Sequence, residues 1–232
     1  MIDLSRRAFV GRAAATVAAL ALPLDLRRIG ARPLGGTIEP SACAIVDLGD
    51  HAVLRESITG FESALKEASI PFARSHPARE TPLVIVPGAL RIPSRAARLL
   101  SDSLENGATV ILESGAVFAT LQSREFLDHR EMLRAVFAIE IDAPMSLWPA
   151  DGIPYIDYTW PVRVKVRDFS RVVPVRHHGG EVIARAGGVP VAVHQCQGRG
   201  TLIFLGSPLG PALWSGDREA RRWLIEGLGA RG

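Results

Sequence analysis

Only two of the 232 residues are cysteines, Cys43 and Cys196, and their spacing offers neither a CxxC redox pair nor a cysteine-based zinc site. Long apolar runs are also missing. The weakly hydrophobic stretch at residues 13–24 is about a dozen residues, short of the roughly 20 that a bilayer core demands. No charge of one sign dominates either: 27 Lys+Arg face 24 Asp+Glu, for a formal net of +3, without the clustered basic face of a nucleic-acid binder. What remains, 47% hydrophobic and 22% charged, excludes a disordered or fibrous chain and suits one domain with a substantial core, or one domain plus a small addition.

The amino terminus differs from the rest. Ser5-Arg6-Arg7-Ala8-Phe9-Val10 resembles the twin-arginine export signal, and Ala19-Leu20-Ala21 offers a small-x-small cleavage site. The resemblance implies a signal peptide over residues 1–21. It also implies the export machinery as a partner, a periplasmic or other extracytoplasmic location, and no stable membrane span after cleavage. Cleavage would remove Arg6, Arg7, Arg12 and Asp3, and the formal net would fall from +3 to +1, so no nucleic-acid partner is expected. Residues 22–40, with their prolines and Gly35-Gly36, read as a linker. In an oxidising compartment the two cysteines could pair, although a pair of buried thiols is the default.

Beyond the linker, strands and helices alternate. Residues 42–48 and 81–88 read as buried strands, with a short strand at 70–73 between them. Leu54, Ile58, Phe61, Leu65 and Ala68 recur at helical spacing. Ala97, Leu100 and Leu104 mark a second helix, which ends at Asn106-Gly107. Then Ala108-Thr109-Val110-Ile111-Leu112 runs into a Glu113-Ser114-Gly115-Ala116 corner, and Phe126, Leu133 and Phe137 mark a helix started by Ser123. This alternation predicts an α/β fold with a doubly wound, mainly parallel sheet flanked by helices.

The grammar changes over residues 142–176, an irregular aromatic and proline-rich insertion carrying Trp148, Tyr155, Tyr158 and Trp160. Strands at 181–186, 189–196 and 201–205, turned by glycines, predict a β-hairpin edge. A closing helix starts at Asp217. The domain is expected over 41–232.

Two parts of the chain together resemble the class I glutamine amidotransferase-like fold. They are Leu83-Val84-Ile85-Val86-Pro87-Gly88 with the 108–116 strand and corner, and residues 188–193 with 198–208. The second part is also similar to the closing strands of non-catalytic members, such as the trimerisation domain of some β-galactosidases. Catalytic members place a cysteine at the corner and a histidine after the last strand. Here Glu113 stands at the cysteine's position, and Ser207-Pro208-Leu209-Gly210 supplies no histidine. The resemblance thus implies an exported, non-catalytic amidotransferase-like domain that binds a small ligand or a protein partner.

Two other functions remain open. One is a hydrolase that uses Glu113 or Ser114 with a nearby histidine such as His51 or His194, since a hydroxyl at a strand-to-helix elbow can attack a carbonyl. The other is an assembly module docking through the Trp-rich insertion. Asp47, His51, Gly88, Glu113 and Ser114 fall at or beside the carboxyl ends of predicted strands, where ligands bind in open sheets, and are expected to rim one crevice. Adjacent strand residues such as His177-His178 point to opposite faces, so no metal site is expected, and nothing in the sequence calls for a cofactor.

Overall fold

The computed structural model describes residues 42–49, 52–147, 155–168, 171–177 and 179–229. The first half of the fold is β1 (Cys43–Ile45), α1 (Ala52–Glu67), β2 (Phe72–Arg74), β3 (Leu83–Ala89), α2 (Ser94–Glu105), β4 (Thr109–Ser114), a 3-10 turn (Gly115–Phe118) and α3 (Arg124–Phe137). Short strands β5 (Glu140–Ile141) and β6 (Met145–Ser146) follow. Next come β7 (Tyr155–Tyr158), β8 (Val164–Arg167), β9 (Arg171–Val172) and β10 (Val175–His177). The chain closes with β11 (Glu181–Ala186), β12 (Val189–Gln197), β13 (Gly200–Leu205), α4 (Gly210–Trp214) and α5 (Arg218–Gly229).

Nine strands form one sheet in the order β2-β1-β3-β4-β13-β12-β11-β7-β8. From β2 to β13 the strands are parallel, and from β13 to β8 they are antiparallel. The order is open at both ends. The class is therefore α/β with a parallel centre, and the expected hairpin strands, β11, β12 and β13, lie next to one another in it, extended at the edge by β7 and β8 from the expected insertion. Two small two-stranded sheets, β10-β5 and β6-β9, flank the expected insertion at its two ends.

Helices cover both faces because β4 alternates. Ile111 joins the core under α1, α4 and α5, whereas Val110 and Leu112 join the core under α2 and α3, as the period-2 rule requires. Continuing the alternation, Glu113 points to the α1–α4 face and Ser114 to the α3 face. The two corner candidates lie on opposite sides of the sheet.

On the first face a glycine contact lets α4 approach α1. A Cβ on Gly60 would lie 2.0 Å from the Gly210 carbonyl oxygen, and one on Gly210 would lie 2.4 Å from Ser57 Cα. The aromatics of the expected insertion pack mainly inward. Tyr158 is buried against Trp223, with ring centroids 4.9 Å apart, and Trp160 lies against His194 at 4.6 Å. Tyr155 is exposed, and Trp148 lies outside the described residues.

Neither cysteine is in a disulfide, and the expected pair of buried thiols holds only for Cys43, since Cys196 is exposed. β1 and β12 are four strand steps apart, roughly 19 Å at about 4.8 Å per step, beyond disulfide reach. Among the described residues, no helix is long and apolar enough to cross a membrane, and no group of three or more His, Cys, Asp or Glu could hold a metal ion.

Candidate functional site

The β4 corner is closed. Glu113 and Ser114 are both fully buried. A buried carboxyl must find hydrogen-bond donors or pay a large desolvation cost, and Glu113 finds them in the backbone. The Gly88 N–H donates to Oε2 at 2.6 Å and the Gly210 N–H donates to Oε1 at 2.7 Å. One side chain thereby ties the end of β3, the end of β4 and the start of α4. Burial pushes the Glu113 pKa up, against the downward pull of the Gly210 and Gly88 amides.

On the opposite face, Ser114 Oγ lies 3.0 Å from Nε2 of His129. Oγ also accepts the Ala116 N–H at 3.2 Å, which caps the 3-10 turn. That bond leaves the hydroxyl hydrogen to point at Nε2 when Nδ1 carries the ring proton. Burial pushes the His129 pKa down to about 4, against a smaller upward pull from the Leu90 carbonyl. The ring is therefore neutral at neutral pH. Leu90 faces it without completing a hydrogen bond to Nδ1, which is buried and unpartnered.

His129 escaped the sequence reading, although its position carried a signal. It follows Phe126 by three residues and precedes Leu133 by four, so it lies on the apolar stripe of α3, all of which is buried. A histidine at such a position is forced toward whatever the preceding strand end offers.

The remaining candidates separate from the corner. Asp47 is exposed and receives the Gly49 N–H at 3.2 Å in its own turn. Gly88 serves Glu113 through its backbone. His194 lies two strands over and two residues along from the Glu113 row, since Glu113 pairs with Leu205 and Leu205 with Ala192. That is about 12 Å away. His194 therefore cannot be the partner of either corner residue. His51 and His178 lie outside the described residues, as does the His177 side chain. The expected single crevice rimmed by Asp47, His51, Gly88 and Glu113 is not brought together among the described residues.

A different crevice opens beside the corner, with a volume of about 550 Å³. Leu48, Ile92 and Pro93 wall it from the strand ends, and Asp128, His129 and Met132 wall it from α3. Segment 88–90 lies directly over the corner: a Cβ on Gly115 would sit 2.2 Å from the Gly88 carbonyl oxygen and 2.7 Å from the Leu90 N.

No family model and no curated protein matches the sequence. Solved structures do match in fold. A β-galactosidase from Bacillus circulans sp. alkalophilus is 17% identical over 82% of this chain, with a TM-score of 0.58, and the match covers 31% of that chain. The α-L-fucosidase isoenzyme 2 of Paenibacillus thiaminolyticus is 10% identical over 82%, with a TM-score of 0.55, covering 32% of that chain. A cytoplasmic protein of Salmonella typhimurium LT2 is 11% identical over 81%, with a TM-score of 0.58, and is covered to 97%. This chain thus spans about a third of the length of the glycosidase chains that it matches.

These neighbours overturn the amidotransferase resemblance, because they are glycosidases and a cytoplasmic protein rather than amidotransferases. The non-catalytic reading falls with it. That reading rested on a carboxylate replacing a thiol at residue 113 and on the lack of a histidine in Ser207-Pro208-Leu209-Gly210. The Glu113 side chain is a fully engaged structural tie on one face, so it carries no information about the Ser114–His129 pair on the other. The twin-arginine signal concerns residues outside those described, and no comparison supports it.

Proposed function

We propose that this chain is a hydrolase acting on an acyl substrate, with Ser114 as nucleophile and His129 as its base. The observation that carries this reading is the 3.0 Å contact between Ser114 Oγ and His129 Nε2 at the carboxyl end of β4. Strand ends of this kind are where open α/β sheets bind ligands, and a neutral imidazole in contact with a hydroxyl is the pairing that activates serine. Glycosidase neighbours, themselves hydrolases by name, are consistent with hydrolysis in the broad sense.

The step balances with these two residues. Oγ bonds to the acyl carbon while its proton moves to Nε2, and the carbonyl oxygen takes the negative charge. Collapse of that adduct expels the leaving group, which takes the proton from Nε2. Water then repeats the sequence to release the acid. Ser114 is fully buried here, so the reading requires that substrate reach it from the crevice lined by His129.

Hydrolysis of nitrophenyl esters by the purified protein tests the reading. Ser114→Ala should abolish turnover, and His129→Gln should lower kcat/KM by about 10²- to 10⁴-fold, the usual worth of a general base. Turnover that survives Ser114→Ala would overturn it.

A second reading, cleavage of glycosidic bonds, is favoured by the neighbours' names. It needs two carboxyls roughly 5 to 10 Å apart flanking the bond. Among the described residues, the buried acids on the α1–α4 face are Glu113, held by two amides, and Asp168, which accepts a short hydrogen bond from Ser207. Release of nitrophenol from aryl glycosides, lost in Glu113→Gln, would favour this reading over the first.

A further inference from the structure

Along the seam between α2 and α3 runs a second groove of about 620 Å³. It shares Ser94, Asp128 and Met132 with the crevice beside His129, so the two form one trough. Its floor is apolar, from Ala97, Met132, Ala135 and Val136. The charges along it are unequally engaged. Asp128 lies 3.7 Å from Arg124, and Glu131 lies 2.8 Å from Arg134, so both acids on the α3 wall have a cation on their own helix. Arg91 and Arg98, on the opposite wall, are exposed and form no ion pair among the described residues.

We infer that this trough binds an aliphatic carboxylate, its chain on the Ala97–Met132–Val136 floor and its anionic group met by Arg91 or Arg98. Two guanidiniums with unclaimed donors match a carboxylate in charge and in planar geometry. The apolar floor supplies the remainder of the affinity by excluding water. A cationic chain would meet the same two arginines as repulsion, so the trough discriminates by sign. Binding here does not require that Ser114 turn over, and the inference stands apart from the hydrolase reading.

Octanoate, octanol and octylamine, which share one chain and differ in head group, separate the contributions. In calorimetric or NMR titrations of the full chain, octanoate should bind at least about tenfold more tightly than octylamine, with shifts confined to Ala97, Ser101 and Met132 and their neighbours. The Arg91→Ala/Arg98→Ala double variant should lose that preference. Arg95→Ala, on the same helix as Arg98 but outside the trough, should keep it. Equal binding of the three ligands, or a preference unchanged in the double variant, would overturn the inference. An active esterase without that preference would leave the hydrolase reading intact, and an inactive protein that still prefers octanoate would sink only the hydrolase reading.

Discussion

At Ser114 the hydroxyl oxygen already accepts the Ala116 amide, so its own hydrogen is left to His129. How that pair behaves depends on the charge of the imidazole. Since burial holds the ring near 4, the base is unprotonated over most of the working range, and the acid limb of the kcat/KM–pH profile should fall near pH 4. A limb at the ordinary histidine value of about 6.5 would show that His129 is not the buried base. Glu113 carries a different consequence. Replacing it by Gln puts an NH₂ donor against one of the two amide donors at 2.6 and 2.7 Å. The fold should lose about 2 kcal/mol, the penalty for an unsatisfied buried donor, as read by urea unfolding. No loss would mean that the tie between β3, β4 and α4 is dispensable.

Among the elements, the α1–α4 contact is the most exacting. Gly60→Ala would press a methyl group onto the Gly210 carbonyl at 2.0 Å and push the Gly210 amide away from Glu113. We expect a cost of about 3 kcal/mol by overpacking. Gly229→Ala, where an added Cβ meets nothing within 4 Å, should be neutral or stabilising by up to about 1 kcal/mol. Similar melting temperatures for the two variants would contradict this packing account. The elements themselves were largely legible. Ile58, Phe61 and Leu65 lie buried at the spacing that marked a helix, and Ser123 caps α3 through the Phe126 N–H at 3.2 Å. Gly60 gave no such signal, because a glycine inside a helical pattern shows its purpose only when the facing helix is in place. His129 was hidden for a related reason: periodicity places it on a buried face without saying that the hydroxyl of Ser114 is there to meet it.

For the whole molecule, the two buried corner groups set opposite pH dependences. His129 binds its proton more weakly folded than unfolded, so its contribution is present above about pH 6.5 and is lost as pH falls toward 4, a change on the order of 3 kcal/mol. Glu113 binds its proton more tightly folded. Its contribution is therefore present below its unfolded value of 4.5 and is lost as pH rises above it. Unfolding free energy measured from pH 4 to 7 should rise more steeply in Glu113→Gln and more shallowly in His129→Gln than in the native chain. Parallel curves for the three proteins would contradict these titrations. The architecture surrounding the corner, a parallel centre extended by an antiparallel edge, was foreshadowed by the strand spacing. The hydrolase alternative was legible too, with Ser114 in it, but the sequence offered His51 or His194 as its partner, because a missing thiol at residue 113 drew attention away from the α3 face that carries His129.

Whether Ser114 is a nucleophile is tested most directly by covalent trapping. After incubation of the native chain with a fluorophosphonate and digestion, mass spectrometry should find the phosphonyl group on Ser114. The adduct should be absent from Ser114→Ala and strongly reduced in His129→Gln. An unmodified Ser114 peptide, recovered from protein that is hydrolysing a nitrophenyl ester, would contradict the account.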